Sequence, residues 1–125
     1  MRFLGIDYGT KKVGLALSDE SMVIANPLVT FQNDETLVKK IKEIIKKEDV
    51  GEVIIGLSKN YKGEDNPVME NIRRLKAVLE RDGITVHLEP EYLTSKEAVR
   101  IEEKDVDAQA AAIILQSYLD KKKSI

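Results

Sequence analysis

The stretch Ile6-Asp7-Tyr8-Gly9-Thr10-Lys11-Lys12-Val13-Gly14-Leu15 decides the reading of this chain, because it sets a carboxylate at the end of an apolar strand. Phe3-Leu4-Gly5-Ile6 leads into Asp7, a turn follows at Tyr8-Gly9-Thr10, and Val13, Leu15 and Leu17 resume a period of two in a second strand. Acidic side chains are seldom buried without a partner, so Asp7 calls for a metal, a hydrogen-bond nest or a basic neighbour. The competing reading is local: an Asp before a Gly often caps its own turn and does nothing more.

Working outward, the pattern predicts strands over 2–7 and 12–18. After a turn at Asp19-Glu20-Ser21-Met22 comes an interrupted stretch over 23–31, which Asn26-Pro27 marks as a bent or edge strand. Leu37, Ile41, Ile44 and Ile45 keep helical spacing over 35–48 with lysines between them, and Asp34-Glu35 suit that helix's N-terminus. Glu52-Val53-Ile54-Ile55-Gly56-Leu57 reads as a strand buried on both faces, as in parallel sheets. A polar loop over 58–65 precedes a helix with Pro67 at its first position, a stripe of Val68, Ile72, Leu75 and Leu79, and Gly83 at its end. A strand over 84–88, a short helix over 96–102 capped by Ser95, and a last helix over 107–119 complete the chain, with Lys121-Lys122-Lys123 as a solvated tail.

This order predicts an α/β fold: a five-stranded mixed sheet, three antiparallel strands followed by two parallel ones, flanked by helices. Ligands gather beyond the carboxyl ends of parallel strands, the edge from which Asp7, Ser58 and Glu91 leave. With 125 residues and no internal boundary, residues 1–125 read as a single domain. Cysteine is absent, which excludes disulfides, thiolate metal sites and a cysteine nucleophile. No apolar run approaches the roughly 20 residues that span a bilayer, and no signal-peptide pattern follows Met1-Arg2, so the expectation is a cytoplasmic protein without a membrane partner. Twenty basic residues stand against 22 acidic ones, which counts against a nonspecific nucleic-acid coat protein. An enzyme that holds phosphates through divalent cations remains compatible, since the metal then supplies the positive charge.

Three sequence-distant acids suit such an enzyme: Asp7 at the end of the first strand, Glu91 after the last, and Asp107 opening the final helix. Brought together they repel one another, and a shared Mg2+ or Mn2+ resolves the repulsion through hard oxygen ligands. The plainer roles are a loop carboxylate for Glu91 and a helix N-terminal residue for Asp107. Lys12, Lys59, Lys96 and Arg100 are candidate phosphate contacts near the same edge, though any one of them taken singly reads first as a solvated surface charge. Tyr8 and Tyr92 are better suited to packing than to base stacking, and His87, the one histidine, does not make a zinc site.

The chain also resembles the YqgF/RuvX family of Holliday-junction resolvase-like proteins and nucleases for 5′-end maturation of pre-16S ribosomal RNA. The family's opening motif D-x-G-x-x-R-[VI]-G-x-A-x-S-D is matched by Asp7, Gly9, Val13, Gly14, Ala16, Ser18 and Asp19, with Lys12 where Arg is usual; Ala25 and Pro27 match a following A-x-P. Ile54-Ile55-Gly56-Leu57-Ser58 approximates V-[VI]-G-[LI]-P, with Ser for Pro. The closing D-A-x-A-A-x-x-[IL]-L-Q-x-[YF]-L is met by Asp107-Ala108-Gln109-Ala110-Ala111 through Leu115-Gln116-Ser117-Tyr118-Leu119. The family's D-E-R-[LF]-[TS]-[TS] appears as Pro90-Glu91-Tyr92-Leu93-Thr94-Ser95, keeping the Glu but losing the Asp and the Arg beside it.

The resemblance implies an RNase H-like fold, with Asp7, Glu91 and Asp107 as metal-binding catalytic residues using Mg2+ or Mn2+. It also implies a nucleic-acid substrate, rRNA precursor before DNA junction, with ribosomal particles as the setting. A monomer or weak homodimer suffices for RNA trimming, whereas a junction resolvase needs two sites on a symmetric dimer. Two alternatives compete. Pro90 and Tyr92 suit a catalytically inactive nucleic-acid-binding module, and Gly5-Ile6-Asp7-Tyr8-Gly9-Thr10 resembles the phosphate loop of sugar kinases and Hsp70-like ATPases, which close two domains around a nucleotide.

Overall fold

The computed structural model describes residues 1–57, 67–90 and 106–123. Its elements in chain order are β1 (Arg2–Tyr8), β2 (Lys12–Ser18), β3 (Ala25–Gln32), α1 (Leu37–Lys47), β4 (Val50–Leu57), α2 (Pro67–Arg81), β5 (Thr85–Pro90) and α3 (Val106–Lys123). The five strands form one sheet in the order β3-β2-β1-β4-β5. The β1–β2 and β2–β3 pairs are antiparallel, and the β1–β4 and β4–β5 pairs are parallel, as the sequence pattern predicts. The expected helix over 96–102 lies outside the described residues.

Alternation along each strand builds two unlike faces. Leu4, Ile6 and Tyr8 of β1, Val13, Leu15 and Leu17 of β2, and Val53 and Ile55 of β4 point to one side, where they join Leu37 and Ile41 of α1 and Ile72, Leu75 and Leu79 of α2. Each such aliphatic side chain taken out of water contributes about 1.5–3 kcal/mol, so this is the principal core. On the other side Phe3, Ala16 and Ile54 meet Ala111, Ile114, Leu115 and Leu119 of α3. Because β1 and β4 are covered on both sides, their near-continuous apolar runs follow directly.

Element ends differ from the sequence reading for local reasons. The Asp34 carboxylate accepts hydrogen bonds from the Thr36 N–H at 2.9 Å and the Thr36 hydroxyl at 2.6 Å, so the chain makes a turn there and α1 begins at Leu37 with no acid in its first turn. The Asp19 carboxylate accepts from the backbone N–H groups of Val23, at 2.9 Å, and Ile24, at 3.2 Å, which takes both residues out of β3. The β2–β3 register slips between Leu15 and Ala16, opposite Pro27, in keeping with an irregular edge strand. Gly83 ends α2 with φ +89°, a conformation that side chains oppose. The lysine run is exposed as expected at Lys121 and Lys122 but belongs to α3, which continues to Lys123; Lys121 also pairs with Glu89, and the Lys122 ammonium lies 5.6 Å from the centre of the Phe3 ring.

Candidate active site

Asp7 sits one residue from the carboxyl end of β1, and the register fixes what surrounds it. Its antiparallel partner on β2 is Gly14, its parallel partner on β4 is Gly56, and the row continues outward to Thr30 on β3 and Glu89 on β5. Residues directly opposite share a face, so Asp7 projects to the side that α3 covers.

Gly14 brings the second acid in. A Cβ built on Gly14 would overlap the carbonyl of Asp107 and the nitrogen of Ala108, so the first turn of α3 lies on bare β2 backbone beside Asp7. On the far side a Cβ at Gly56 would strike the Ile114 side chain, and one at Gly5 would stand 2.7 Å from Leu115 Cβ and 2.9 Å from the Ala111 carbonyl oxygen. The helix supplies the matching small residues: Ala108 and Ala111 are buried and favour helix besides. Asp107 in the first turn also faces the positive end of the helix dipole.

The other end of α3 is fastened by polar groups. Gln116 accepts from the Ala25 N–H at 2.9 Å and donates to the Val23 carbonyl at 2.9 Å, tying the helix to the turn that Asp19 organises. In that turn the Val23 N–H first, then the Ser21 hydroxyl and the Ile24 N–H, donate to the Asp19 carboxylate and hold its carboxyl below the ordinary range. Buried Ser18 accepts from the Phe3 N–H at 2.9 Å, joining the two strands that flank this face.

Of the three carboxylates expected from the sequence, two belong to the described residues, Asp7 and Asp107, both partly accessible, and the Asp107 backbone lies on Gly14, the register partner of Asp7. Glu91 lies outside the described residues, as do Lys59, Lys96, Arg100 and Tyr92. Lys12 opens β2, exposed, one register step beyond the β1 end. Among the described residues no three His, Cys, Asp or Glu side chains are grouped for a metal ion. The pair that is present nonetheless fits one: two hard oxygen donors from separate rigid elements, with glycine backbone between them, match a magnesium-like cation and not a soft metal.

Tyr8 packs into the opposite face, 9% exposed, in keeping with a packing role. His87 accepts or donates a 2.7 Å bond with Glu52 and lies 5.1 Å, ring to ring, from Tyr118. Burial first, then the Glu52 and Glu89 carboxylates, push the Tyr118 hydroxyl above its ordinary value. Glu89 is on the α3 face in Asp7's row, but it is buried and engaged by Lys121. That pairing escapes sequence reading because the two residues stand 32 positions apart.

The topology and the strand-end acid define an RNase H-like α/β fold. Two solved structures share it: RuvC of T. thermophilus in complex with Holliday junction substrate (TM-score 0.66, 14% identity, 98% of this chain and 96% of that one) and fowlpox virus resolvase with Holliday junction DNA (TM-score 0.68, 12% identity, 98% and 99%). At such identities the likeness is one of fold. The family is set by sequence: residues 1–121 match the RuvX model, described as Holliday junction resolvase, and the chain belongs to that family. A relative from Maridesulfovibrio salexigens is 38% identical over 95% of this chain and 98% of its own, and one from Caldanaerobacter subterraneus subsp. tengcongensis is 38% identical over 99% of each. Both carry the provisional name pre-16S rRNA nuclease. No helix among the described residues is long and apolar enough to cross a membrane.

Proposed function

We propose that this protein is a divalent-metal-dependent nuclease that hydrolyses phosphodiester bonds in the 5′ extension of the 16S rRNA precursor, working on ribosomal particles in the cytoplasm. Asp7, Glu91 and Asp107 are its metal ligands and catalytic residues, Mg2+ or Mn2+ its ion, and residues 1–125 one nuclease domain. The observation that carries this reading is the seating of Asp107 on Gly14, the register partner of Asp7.

Asp7, Glu91 and Asp107 would hold a divalent cation there, which would supply water activation and charge stabilisation at the leaving oxygen, so no covalent nucleophile is required. The chain's own contribution is geometry. β1, paired on both sides, fixes Asp7, and the close seat of α3 fixes Asp107, so neither carboxylate needs to be ordered when substrate arrives. Lys12, exposed beside this edge, is placed to meet a phosphate of the substrate strand, and Lys59, Lys96 and Arg100 are assigned the same task. The wording of the family and of its relatives favours nucleic acid, and the relatives' name favours rRNA over a four-way DNA junction.

The test is Asp7→Asn with an RNA carrying a 5′ extension of 16S rRNA. Partners that merely orient a metal ligand are worth about 10- to 100-fold, so loss of the ligand itself should lower Mn2+-dependent cleavage by at least that much with the melting temperature little changed. Cleavage that survives the substitution removes the proposal. Cleavage of a four-way DNA junction in preference to the RNA replaces the substrate, and RNA binding without any metal effect points to an inactive binding module.

A further inference from the structure

We propose that the solvent face of α1 is a docking surface for the phosphate backbone of RNA, outside the carboxylate site. The surface deepens the nuclease reading and rests on it for the identity of the polyanion.

In eleven residues α1 carries five lysines, Lys39, Lys40, Lys42, Lys46 and Lys47, against one acid, Glu43, while the whole chain has a net charge of −2. The helix dipole does not account for this arrangement. Lys39 and Lys40 stand in the first turn, where no acid is present and where the helix dipole repels cations. Only Lys46 and Lys47, in the last turn, are placed as the dipole favours. Nor is the charge neutralised internally. Glu43 is four residues from both Lys39 and Lys47, yet among the described residues it forms no ion pair with either, and Lys39, Lys46 and Lys47 have no carboxylate partner.

Helix α2 shows the contrast, since Arg74 and Glu70 pair at 3.2 Å and Lys76 and Glu80 at 2.9 Å, each one helical turn apart. On α1, Lys42 pairs with Asp82 at 3.1 Å and Lys40 lies over the Phe31 ring at 5.1 Å. The remaining three lysines are exposed and open. Lys39, Lys42 and Lys46 line a shallow concavity of about 450 Å3 with Val38 and Glu43; Asp34 and Glu35 precede the helix, and of the acids that follow it Glu48 pairs with Arg2 at 3.0 Å and Asp49 with the N-terminal ammonium at 3.6 Å.

The position also suits a substrate contact. Leu37 and Val38 of the first turn share a small cavity with Tyr8, the residue after Asp7, so α1 starts at the sheet end where the carboxylates emerge, on the opposite face. RNA crossing that end meets Lys39 first and then Lys46 and Lys47, about 10 Å further along the helix. A phosphate backbone recognises such a row by charge alone and releases counterions as it binds.

The experiment is a salt titration of RNA binding with Lys39, Lys46 and Lys47 replaced together by Gln, in the Asp7→Asn background to prevent cleavage. The probe is an RNA stem with a 5′ single-stranded extension, read by fluorescence anisotropy. None of the three side chains has a carboxylate partner among the described residues, so the melting temperature should hold. Each phosphate contact contributes roughly 0.7–0.9 to the slope of log K against log salt, and the slope should fall by about two units, with Kd at low salt raised at least tenfold. The paired lysine variant Lys76→Gln on α2 should leave the slope unchanged. An unchanged slope in the triple variant overturns the proposal, as does a slope that changes with duplex DNA but not with RNA. With Asp7 restored, the triple variant should cleave at the parental rate once RNA is saturating; a lower rate there would move these lysines into the chemistry and overturn the docking role. Absence of metal-dependent cleavage by the parent protein, with the slope change still present, would remove the nuclease reading and leave the surface standing.

Discussion

The two faces of the sheet differ in how closely they let a helix approach. Under α1 and α2 the strands present Leu4, Ile6, Val13, Leu15, Val53 and Ile55, all essentially inaccessible, and bury large side chains between sheet and helices. Under α3 they present Gly5, Asp7, Gly14, Ala16 and Gly56 beside the larger Phe3 and Ile54, so at the glycines the helix rests on backbone. Large side chains hold helix and sheet apart and fill the gap with burial, whereas small ones give up burial for closeness. The difference teaches that one side of the sheet is built for burial and the other for close helix approach, the side on which the proposed site lies. On the α3 face the backbone of Asp107 comes down on Gly14, the register partner of Asp7, which a larger residue on that strand would prevent.

The most severe test of this division is Ile55→Ala, on the thick face. It should cost about 2–5 kcal/mol of stability by denaturant unfolding, through lost burial and the cavity left behind, while metal affinity and cleavage per folded molecule stay unchanged. A loss of metal binding at full folding would show that the faces are not separable.

Gly14→Ala reverses the expectation. Because backbone of Asp107 fills the space, α3 must shift, and a displacement of about 1 Å between catalytic groups is worth on the order of 100-fold in cleavage rate. Calorimetric titration with Mn2+ should weaken in parallel. Gly5→Ala is the internal control: it also presses on α3, against Leu115 and Ala111, but a full turn or more from Asp107, and should lower stability more than metal affinity. Equal effects of the two substitutions on metal binding would erase the special role of the Asp7 row.

The smallest effect is expected at Asp19, which lies on neither face and reaches α3 through the turn that Gln116 grips. Its carboxyl is held below 3.8 in the folded protein by hydrogen bonds it accepts, so its contribution is complete above 3.8 and disappears as pH falls through the lower folded value. The gap in melting temperature between the parent and Asp19→Ala should therefore be present at pH 7 and close as the solution is acidified below that point. A gap independent of pH would assign the effect to packing of the turn.

Much of the architecture was legible because its signals are local. Alternation marked β1 and β2, Pro67 and Gly83 bracketed α2, and Asn26-Pro27 announced an edge strand. Asp7 and Asp107 stood out because an acid at a strand end or a helix start advertises itself against its neighbours. The lysines of α1 were visible as residues between apolar positions, but their lack of partners was not, since pairing depends on side-chain geometry that spacing does not settle: Glu43 has the spacing and does not pair. The fate of Lys121 and Lys122 was hidden for a related reason, because Glu89 and Phe3 belong to distant strands.

By itself, the sequence determined which residue types alternate, where turns interrupt them, and hence an α/β chain with an acid ending its first strand, because periodicity and turn chemistry act over a few neighbouring residues. Only the tertiary structure decided that Gly14 and Gly56 flank that acid and that the first turn of α3 lies on one of them. Register and helix seating are set by how two distant surfaces fit, and a missing Cβ has no meaning until the group that occupies its place is known.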